Sequence, residues 1–368
     1  MRVDHRLADE LRELGARNIS QCYSCGVCTA ICPLSEEGRE IPRRMVRYAV
    51  LGLRDRLERS LEPWLCYYCG ECTKSCPRGA DPGALMMAVR RYLITRYDFT
   101  GISRVLYRSP LAEALLAATL FLAVVLGVYF LHGPVNLERV DMESFLPAGV
   151  VDAADIAVAA TLASLLLANA YRMYRLTRRG PRLPLTAYIT ELVKTVPPHF
   201  FTQLRMLKCR GSVRDWVMHA LTAYGYGIVF VLVVLFLRAI HAGVYPAAHP
   251  LRLAGYVASA LLLAGAGYAI YGRARRSSVA RQYSHPTDWL FLILLLLTTL
   301  TGVALHVFKY LNMPLEAYVC YAVHLGLAAP LLILEVPFAK WSHIAYRPLA
   351  IYFARLNELR ARRLQPSP

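Results

Sequence analysis

Acidic residues are scarce in this chain of 368 residues: 25 Asp and Glu stand against 42 Lys and Arg, and the formal net charge is +17. Such a charge can indicate nucleic-acid binding, but here the basic residues lie beside apolar segments and form no patch interleaved with aromatic residues. All charged residues together make up 18% of the chain, and hydrophobic residues make up 56%. This shortage of charge excludes an ordinary soluble protein and predicts a membrane protein without a nucleic-acid partner.

Long apolar runs are missing from the first hundred residues, which are rich in Arg, Glu and Cys. Residues 1–20 also lack the apolar core of a secretory signal peptide, so we expect this part of the chain to stay in the cytoplasm. Apolar segments begin near Leu111. The sequence therefore predicts two domains, a soluble head (residues 1–108) and a membrane body (residues 109–368).

Cysteine is rare outside the head. The head's eight cysteines form two runs of the spacing C-x2-C-x2-C-x3-C-P, one from Cys22 to Pro33 and one from Cys66 to Pro77. In bacterial ferredoxins with this spacing, the fourth Cys of each run ligates the other run's cluster. The pattern predicts two [4Fe-4S] clusters: cluster 1 held by Cys22, Cys25, Cys28 and Cys76, and cluster 2 held by Cys66, Cys69, Cys72 and Cys32.

Structural zinc sites are the alternative for these cysteines, but such sites pair their ligands and rarely repeat a three-plus-one spacing. The two remaining cysteines, Cys209 and Cys320, have no partners in the sequence, and we do not expect them to be ligands.

Helical periodicity dominates the head. Apolar residues from Met45 to Leu57 recur near a period of 3.6, and further helices are predicted before the first run and after the second. The stretch from Arg17 to Arg96, with Cys-Gly-Val-Cys-Thr-Ala-Ile-Cys-Pro in its first run, resembles the C subunit of heterodisulfide reductases. That resemblance implies an α-helical ferredoxin fold that passes electrons between a soluble partner and another carrier. The chain lacks the Cys-Cys-Gly repeats of the disulfide-reducing subunit, so we do not expect it to reduce a heterodisulfide alone.

Six apolar spans of roughly 20 residues each are long enough to cross a bilayer. Basic residues follow the second, fourth and sixth spans, which predicts that these ends, the head and both termini lie on the cytoplasmic side of the cell membrane. A proline-broken segment, residues 183–209, is predicted to lie on the membrane surface. The predicted spans are Leu111–Leu131, Val150–Tyr171, Trp216–Leu237, Leu251–Tyr271, Trp289–Val307 and Leu315–Phe338.

Histidines are rare within membranes and usually functional there. Six of the ten lie in or beside the last four spans, where pairs of neutral imidazoles between helices would ligate haem b. An interfacial position is the alternative, and it suits His241 and His285 best. The six are His219, His241, His285, His306, His324 and His343.

The last span and its extension, from Tyr321-Ala-Val-His324 to Trp341-Ser-His343, resemble the final helix of the respiratory nitrate reductase gamma subunit. Trp216-Val-Met-His219 resembles the start of that family's partner helix, so the likeness implies an inner haem b between His219 and His343. That family has a second histidine about three turns after the first, but Tyr226, Val229 and Phe230 occupy this region of the present chain. From estimated depth in the membrane, His324 would pair with His306 at an outer haem, with His241 as the alternative.

Three polar residues lie near the expected inner haem: His199, Lys208 and Arg214. They could protonate a quinone or hold its carbonyl oxygen, which predicts a quinone site at the cytoplasmic side. Positive-inside anchoring is the alternative for the two basic residues.

The order of iron–sulfur head, basic linker and six-span body resembles the C subunits of quinone-interacting membrane-bound oxidoreductases. The likeness implies an all-α electron-transfer subunit, not a complete enzyme, that links menaquinol or another quinone, haem b and two [4Fe-4S] clusters to a soluble partner containing flavin and iron–sulfur clusters. The context would be sulfate or other anaerobic respiration. Two alternatives remain: the membrane arm of a sulfite-reductase-linked or heterodisulfide-reductase-like complex, and a non-redox receptor or transporter with a structural metal head.

Overall fold

The structure is a computed structural model, and it describes residues 3–35, 39–209, 213–246 and 248–364. These residues form helices, turns and loops, and no strand occurs among them. The all-α fold predicted from the sequence is confirmed, with a head of short helices before six long apolar ones.

The head is built around one long helix, α7. Asp81 begins this helix by accepting a hydrogen bond from the amide of Ala84 at 3.0 Å, and Pro82 fits its first turn. Most of its residues are buried, so the shorter helices pack on all sides of it. The head helices are α1 Leu7–Glu13, α2 Val27–Ala30, α3 Arg43–Val50, α4 Arg54–Glu58, α5 Glu62–Leu65, α6 Glu71–Lys74, α7 Pro82–Tyr97 and α8 Ile102–Arg108.

The body contains six helices long and apolar enough to cross a membrane, as the sequence predicts. They are α9 Pro110–Leu131, α11 Ala148–Thr177, α13 Val213–Ala242, α14 Pro250–Ala274, α16 Pro286–Tyr310 and the span Pro314–Phe338. The last span consists of α17 Pro314–Pro330, a π-helical turn Leu331–Glu335 and α18 Val336–Phe338. The other helices are α10 Met142–Phe145, α12 Leu185–Thr202, α15 Val279–Gln282 and α19 His343–Leu364.

The second span continues beyond its apolar stretch. Its 30 residues would extend about 45 Å as an α-helix, whereas the hydrocarbon core of a bilayer is about 30 Å thick. The extension carries Arg172, whose guanidinium donates to the carbonyl of Arg96 in the head at 3.1 Å. The end of this helix therefore reaches the head.

Small residues let α13 and α14 pack closely. A Cβ atom on Gly225 would lie 2.9 Å from the carbonyl oxygen of Ala258, and one on Gly265 would lie 2.9 Å from that of Met218. Larger side chains at these two positions would force the helices apart.

The carboxy-terminal helix α19 packs on the head, on α12 and on the end of α11. The ring of Tyr346 lies 5.2 Å from that of Trp64 and 5.3 Å from that of Tyr97, in a core shared with Leu7 and Met173. The domain boundary at residue 108 stays a prediction, and α19, which follows the spans, returns to cover the head.

The segment predicted to lie on the membrane surface, residues 183–209, forms α12 and a 3₁₀ turn Leu204–Lys208. Helix α12 packs against α19 on one side and exposes Leu185, Val193 and Phe201 on the other. Exposed apolar residues are what a surface-bound helix needs, and its position on the membrane stays a prediction.

Candidate electron-transfer sites

Four cysteines of the head surround a first recess of about 340 Å³, which we call recess 1. They are Cys22, Cys25, Cys28 and Cys76, the set predicted for cluster 1. Every residue that lines recess 1 belongs to the head, and the side chain of Cys25 is exposed. Recess 1 therefore faces solution.

The other four cysteines surround a second recess of about 380 Å³, recess 2. They are Cys32, Cys66, Cys69 and Cys72, the set predicted for cluster 2. Cys209, from the body, also lines it. A Cβ atom on Gly70, beside Cys69, would lie 3.1 Å from the Cβ of Val279, so the loop between α14 and α16 packs against this side of the head. Recess 2 therefore faces the body.

The two recesses are built by loops of the same conformation. Gly26 and Gly70 have φ angles of 89° and 86°, and each directly precedes a short helix, α2 or α6. This left-handed conformation suits glycine and turns the chain sharply after the second Cys of each run. Three backbone amides then donate to cysteine sulfurs: Ser24 to Cys22 at 3.4 Å, Tyr68 to Cys66 at 3.3 Å and Ala80 to Cys76 at 3.3 Å.

Burial affects the acidity of the thiols in both recesses, and within the described residues no group of three His, Cys, Asp or Glu side chains is placed to hold one metal ion. Burial raises the pKa of Cys28 above its ordinary value and that of Cys32 to about 11. Iron ligation offsets such a shift, because the positive charge of the metal stabilises the thiolates. Each recess thus offers four sulfurs and at least one backbone amide that donates to them, as the ligation of a cubane requires.

His219 and His343, the predicted inner haem ligands, face each other. Their ring centres lie 6.1 Å apart, and iron–nitrogen bonds of about 2 Å on both sides would require a similar separation. Nδ1 of His343 lies 2.7 Å from the carbonyl oxygen of Lys340, so Nδ1 carries the proton and Nε2 remains available to a metal. Burial also lowers the pKa of His343 well below its usual value, which keeps the ring neutral. These two residues fit a haem iron.

The three histidines predicted for the outer haem have separate neighbours. Nδ1 of His324 lies 3.0 Å from the hydroxyl oxygen of Thr301, while the ring of His306 lies 5.3 Å from that of Tyr256. His241 packs at 5.5 Å against Tyr321, and among the described residues neither of its ring nitrogens has a hydrogen-bond partner. The pairing of His324 with His306, or with His241, stays a prediction.

The residues predicted to bind quinone lie in two places. The ring of His199 lies 6.4 Å from that of Tyr67, next to Cys66 of recess 2, and burial lowers the pKa of His199 to about 4. Arg214 instead donates to the hydroxyl of Tyr268 at 3.0 Å. Lys208 ends the 3₁₀ turn after α12, between these two positions in the sequence.

Sequence reasoning missed the residues that connect recess 2 to the histidine pair. The guanidinium of Arg347 lies 4.2 Å from the ring centre of Tyr67, and Arg347 lies one helical turn after His343 on α19. Tyr67 directly follows Cys66, so one aromatic ring and one guanidinium bridge the two sites. Only the proximity of Tyr67 to Cys66 could have been found from the sequence.

A buried ionic cluster holds the head on the body. The carboxylate of Asp288, at the start of α16, forms an ion pair with Lys340 at 2.6 Å and accepts a hydrogen bond from Arg91 of α7 at 3.2 Å. The side chains of Asp288, Arg91 and Lys340 are 8%, 11% and 34% exposed. The head is thus fixed to the same end of the bundle as Lys340 and His343.

Comparisons with known proteins agree with the amino-terminal geometry. Residues 18–80 match the family of 4Fe-4S dicluster domains. A protein of Archaeoglobus profundus, named for its likeness to the C subunit of heterodisulfide reductase, is 38% identical over 96 residues, which are 26% of this chain and 51% of that protein. No solved structure matches the chain.

Two further relatives are the C subunits of H(2):CoB-CoM heterodisulfide,ferredoxin reductase from Methanothermobacter thermautotrophicus and Methanothermobacter marburgensis. Each is 32% identical over 66 residues, which are 17% of this chain and 34% of the relative. The chain spans about half the length of the first relative and about a third of the other two. It therefore joins a 4Fe-4S dicluster head, similar to the C subunit of heterodisulfide reductases, to six apolar helices in a multi-pass membrane body.

Proposed function

We propose that this chain is a membrane-anchored electron-transfer subunit that links the quinone pool, through haem b and two [4Fe-4S] clusters, to a soluble partner containing flavin and iron–sulfur clusters. The observation that carries the proposal is the junction of head and body. There, recess 2 and the pair His219 and His343 lie at one end of the bundle, with Tyr67, His199 and Arg347 between them. A dicluster head with a merely structural role would not need histidine pairs beside it.

The residues that hold each cofactor follow from the two recesses and the histidine pair. Cys22, Cys25, Cys28 and Cys76 would hold cluster 1, and Cys66, Cys69, Cys72 and Cys32 would hold cluster 2. His219 and His343 would hold the inner haem, and His324 with His306 or His241 an outer one. When bound, these groups supply one-electron transfer, and the protein sets their separation and surroundings.

The two recesses differ in their surroundings, which gives the electron relay a membrane end and a soluble end. Recess 2 touches the body and recess 1 is lined only by head residues. Around recess 1, Tyr23 and Val27 are exposed, and Arg43 and Arg47 line the recess. We therefore place the soluble partner at recess 1, where apolar and basic groups meet solution.

A quinone would bind between the bundle and α12. His199 lies at this junction and would exchange a proton with the quinone. Lys208 and Arg214 are the candidates for holding its carbonyl oxygen or balancing its charge, and Arg214 would reach it by releasing the hydroxyl of Tyr268. The neutral form of His199 favoured by burial can accept a proton from a quinol.

The membrane orientation follows from charge and contacts together. The head touches Arg172 near the end of the second span's helix, Val279 after the fourth span, and Asp288, which pairs with Lys340 after the sixth, so these ends share one side. Basic residues concentrate on this side, which we therefore place in the cytoplasm together with both termini.

The names of the relatives point to an alternative complex in which this chain would act. Their subunits are named for heterodisulfide and ferredoxin reductase complexes, so a heterodisulfide-reductase-like complex is a possible context beside sulfate or sulfite respiration. Affinity purification of the full chain from its native membrane, followed by identification of the co-purified subunits, separates these contexts.

Optical spectra and iron analysis test the proposal. The purified full-length chain should show the absorption bands of b-type haem after dithionite reduction, and eight non-haem irons with acid-labile sulfide. Iron–sulfur content without haem bands would contradict the cytochrome part, and a protein with neither would leave a receptor or transporter with a structural metal head.

A further inference from the structure

A fifth cysteine lies at recess 2. Cys209 follows the 3₁₀ turn Leu204–Lys208 of the body, and its amide donates to the carbonyl of Met206 at 3.1 Å. Only 3% of its surface is exposed, and it lines the recess together with Cys69. Cys69 from the head and Cys209 from the body thus meet in one recess. The contact joins residues 140 positions apart, so it is a product of the docking of head and body.

A cubane in recess 2 would already have its four ligands. Cys32, Cys66, Cys69 and Cys72 satisfy the four iron positions, so a fifth sulfur has no iron to bind. Cys209 is therefore left with its S–H group, and a thiol can donate a hydrogen bond to a neighbouring ligand sulfur such as that of Cys69.

We propose that Cys209 is a positioning and tuning residue for cluster 2: its S–H group donates a hydrogen bond to the sulfur of Cys69 and raises the reduction potential of that cluster. The proposal rests on the proposed function, because it takes cluster 2 as bound in recess 2. Reduction adds negative charge to a cluster, and a hydrogen bond to a ligand sulfur stabilises the reduced form more than the oxidised form. Recess 1 is lined by no residue of the body, so the effect is confined to one cluster.

The hydrogen bond also makes the potential depend on assembly. Cys209 belongs to the body and Cys69 to the head, so cluster 2 reaches its final potential only when the head is docked on the junction. A head that has separated from the body would hold a cluster 2 that is harder to reduce.

Redox titration of the full-length protein in detergent, followed by electron paramagnetic resonance, tests the proposal. The variants are Cys209→Ala, Cys209→Ser and, as a matched control, Cys320→Ala, since Cys320 is the other cysteine outside the two runs. In Cys209→Ala, we expect both clusters to be retained and one midpoint potential to fall. At a fixed potential its oxidised-to-reduced ratio should rise about tenfold, equivalent to about 59 mV for a one-electron couple.

The Ser variant should show a smaller shift, because its hydroxyl can still donate, and the Cys320→Ala control should show none. Unchanged potentials in Cys209→Ala would overturn the proposal, and so would the loss of four irons, which would make Cys209 a ligand. If Cys209→Ala loses both clusters, Cys209→Val replaces it as a larger side chain that cannot donate, and unchanged potentials in that variant would overturn the proposal. Failure of the wild-type chain to bind two clusters would instead contradict the proposed function, so the two failures are distinguishable.

Discussion

Single side chains fix the chemistry at the junction. Lys340 provides a carbonyl that orients His343 and an ammonium group that pairs with Asp288, so one residue connects the histidine pair to the ionic cluster. Arg347 extends this connection to Tyr67 beside recess 2. The histidine pair, the ionic cluster and recess 2 are therefore neighbours through a few side chains.

Removal of one imidazole should remove one haem. In His343→Ala, the iron would lose an axial ligand that His219 alone cannot replace, so the haem content per chain should fall by one while the cluster iron stays unchanged. Pyridine haemochrome analysis and non-haem iron analysis measure the two quantities.

The control for this experiment is His132→Ala, since His132 lies at the far end of the bundle, where its Nδ1 contacts the carbonyl of Gly133. Its haem content should equal that of the wild type. Full haem content in His343→Ala would exclude His343 as an inner ligand.

The ionic cluster should matter for stability because it is buried. Asp288→Asn would leave the charge of Arg91 without its carboxylate, and the loss of one partner of a buried ion pair costs about 3–5 kcal/mol. The charge of Lys340 adds less, because its side chain is 34% exposed to water. Thermal unfolding of the purified protein, followed by the loss of cluster absorption, should therefore begin at a clearly lower temperature.

The matched control is Asp9→Asn. Asp9 pairs with Arg12 on the surface, where such pairs contribute about 0–1 kcal/mol. Equal destabilisation by the two substitutions would mean that the Asp288 cluster does not hold the head in place.

At the scale of helices, the break between α3 and α4 shows how the head closes. The apolar period from Met45 to Leu57 would allow one continuous helix, but Gly52 adopts a φ of 67° and ends the first half. Its carbonyl accepts from the amide of Asp4 at 2.8 Å, so the amino-terminal segment closes over the turn.

Gly52→Ala should destabilise the head. A Cβ atom there would lie 2.9 Å from the carbonyl carbon of Asp4, a backbone atom, and the left-handed conformation adds about 1–2 kcal/mol. Gly101→Ala is the control, because Gly101 has a φ of 82° but open space around its Cα. Thermal unfolding should show a larger loss of stability for Gly52→Ala than for Gly101→Ala. Equal losses would mean that the segment around Asp4 can move aside at no cost in free energy.

Much of the fold could be predicted because it depends on local patterns. The cysteine spacing predicts the sulfur sets of both recesses, and the apolar runs predict six spans, since each signal lies within a short stretch of sequence. The position of Cys209 at recess 2 and that of Arg347 beside Tyr67 could not be predicted, because both depend on contacts between distant segments. The packing of α19 on the head was missed for the same reason, since a helix that covers another domain has no signature of its own.

At the scale of the whole molecule, the candidate cofactor sites form three layers. Recess 1 faces solution, recess 2 faces the body, and the histidine pair lies at the end of the bundle where the head docks. The outer histidines lie along the spans beyond them. This order suits a relay that leads from the membrane to a soluble partner and leaves one cluster site open to that partner.

The most direct test follows cluster and haem oxidation by a quinone. The full-length protein is reduced with dithionite, excess reductant is removed, and a menaquinone analogue is added while electron paramagnetic resonance reports the clusters and absorption reports the haem. We predict that haem and clusters are both reoxidised in the wild type and that cluster reoxidation becomes much slower in His343→Ala. Clusters that reoxidise equally fast in His343→Ala, or that stay reduced in the wild type after its haem is oxidised, would contradict the account.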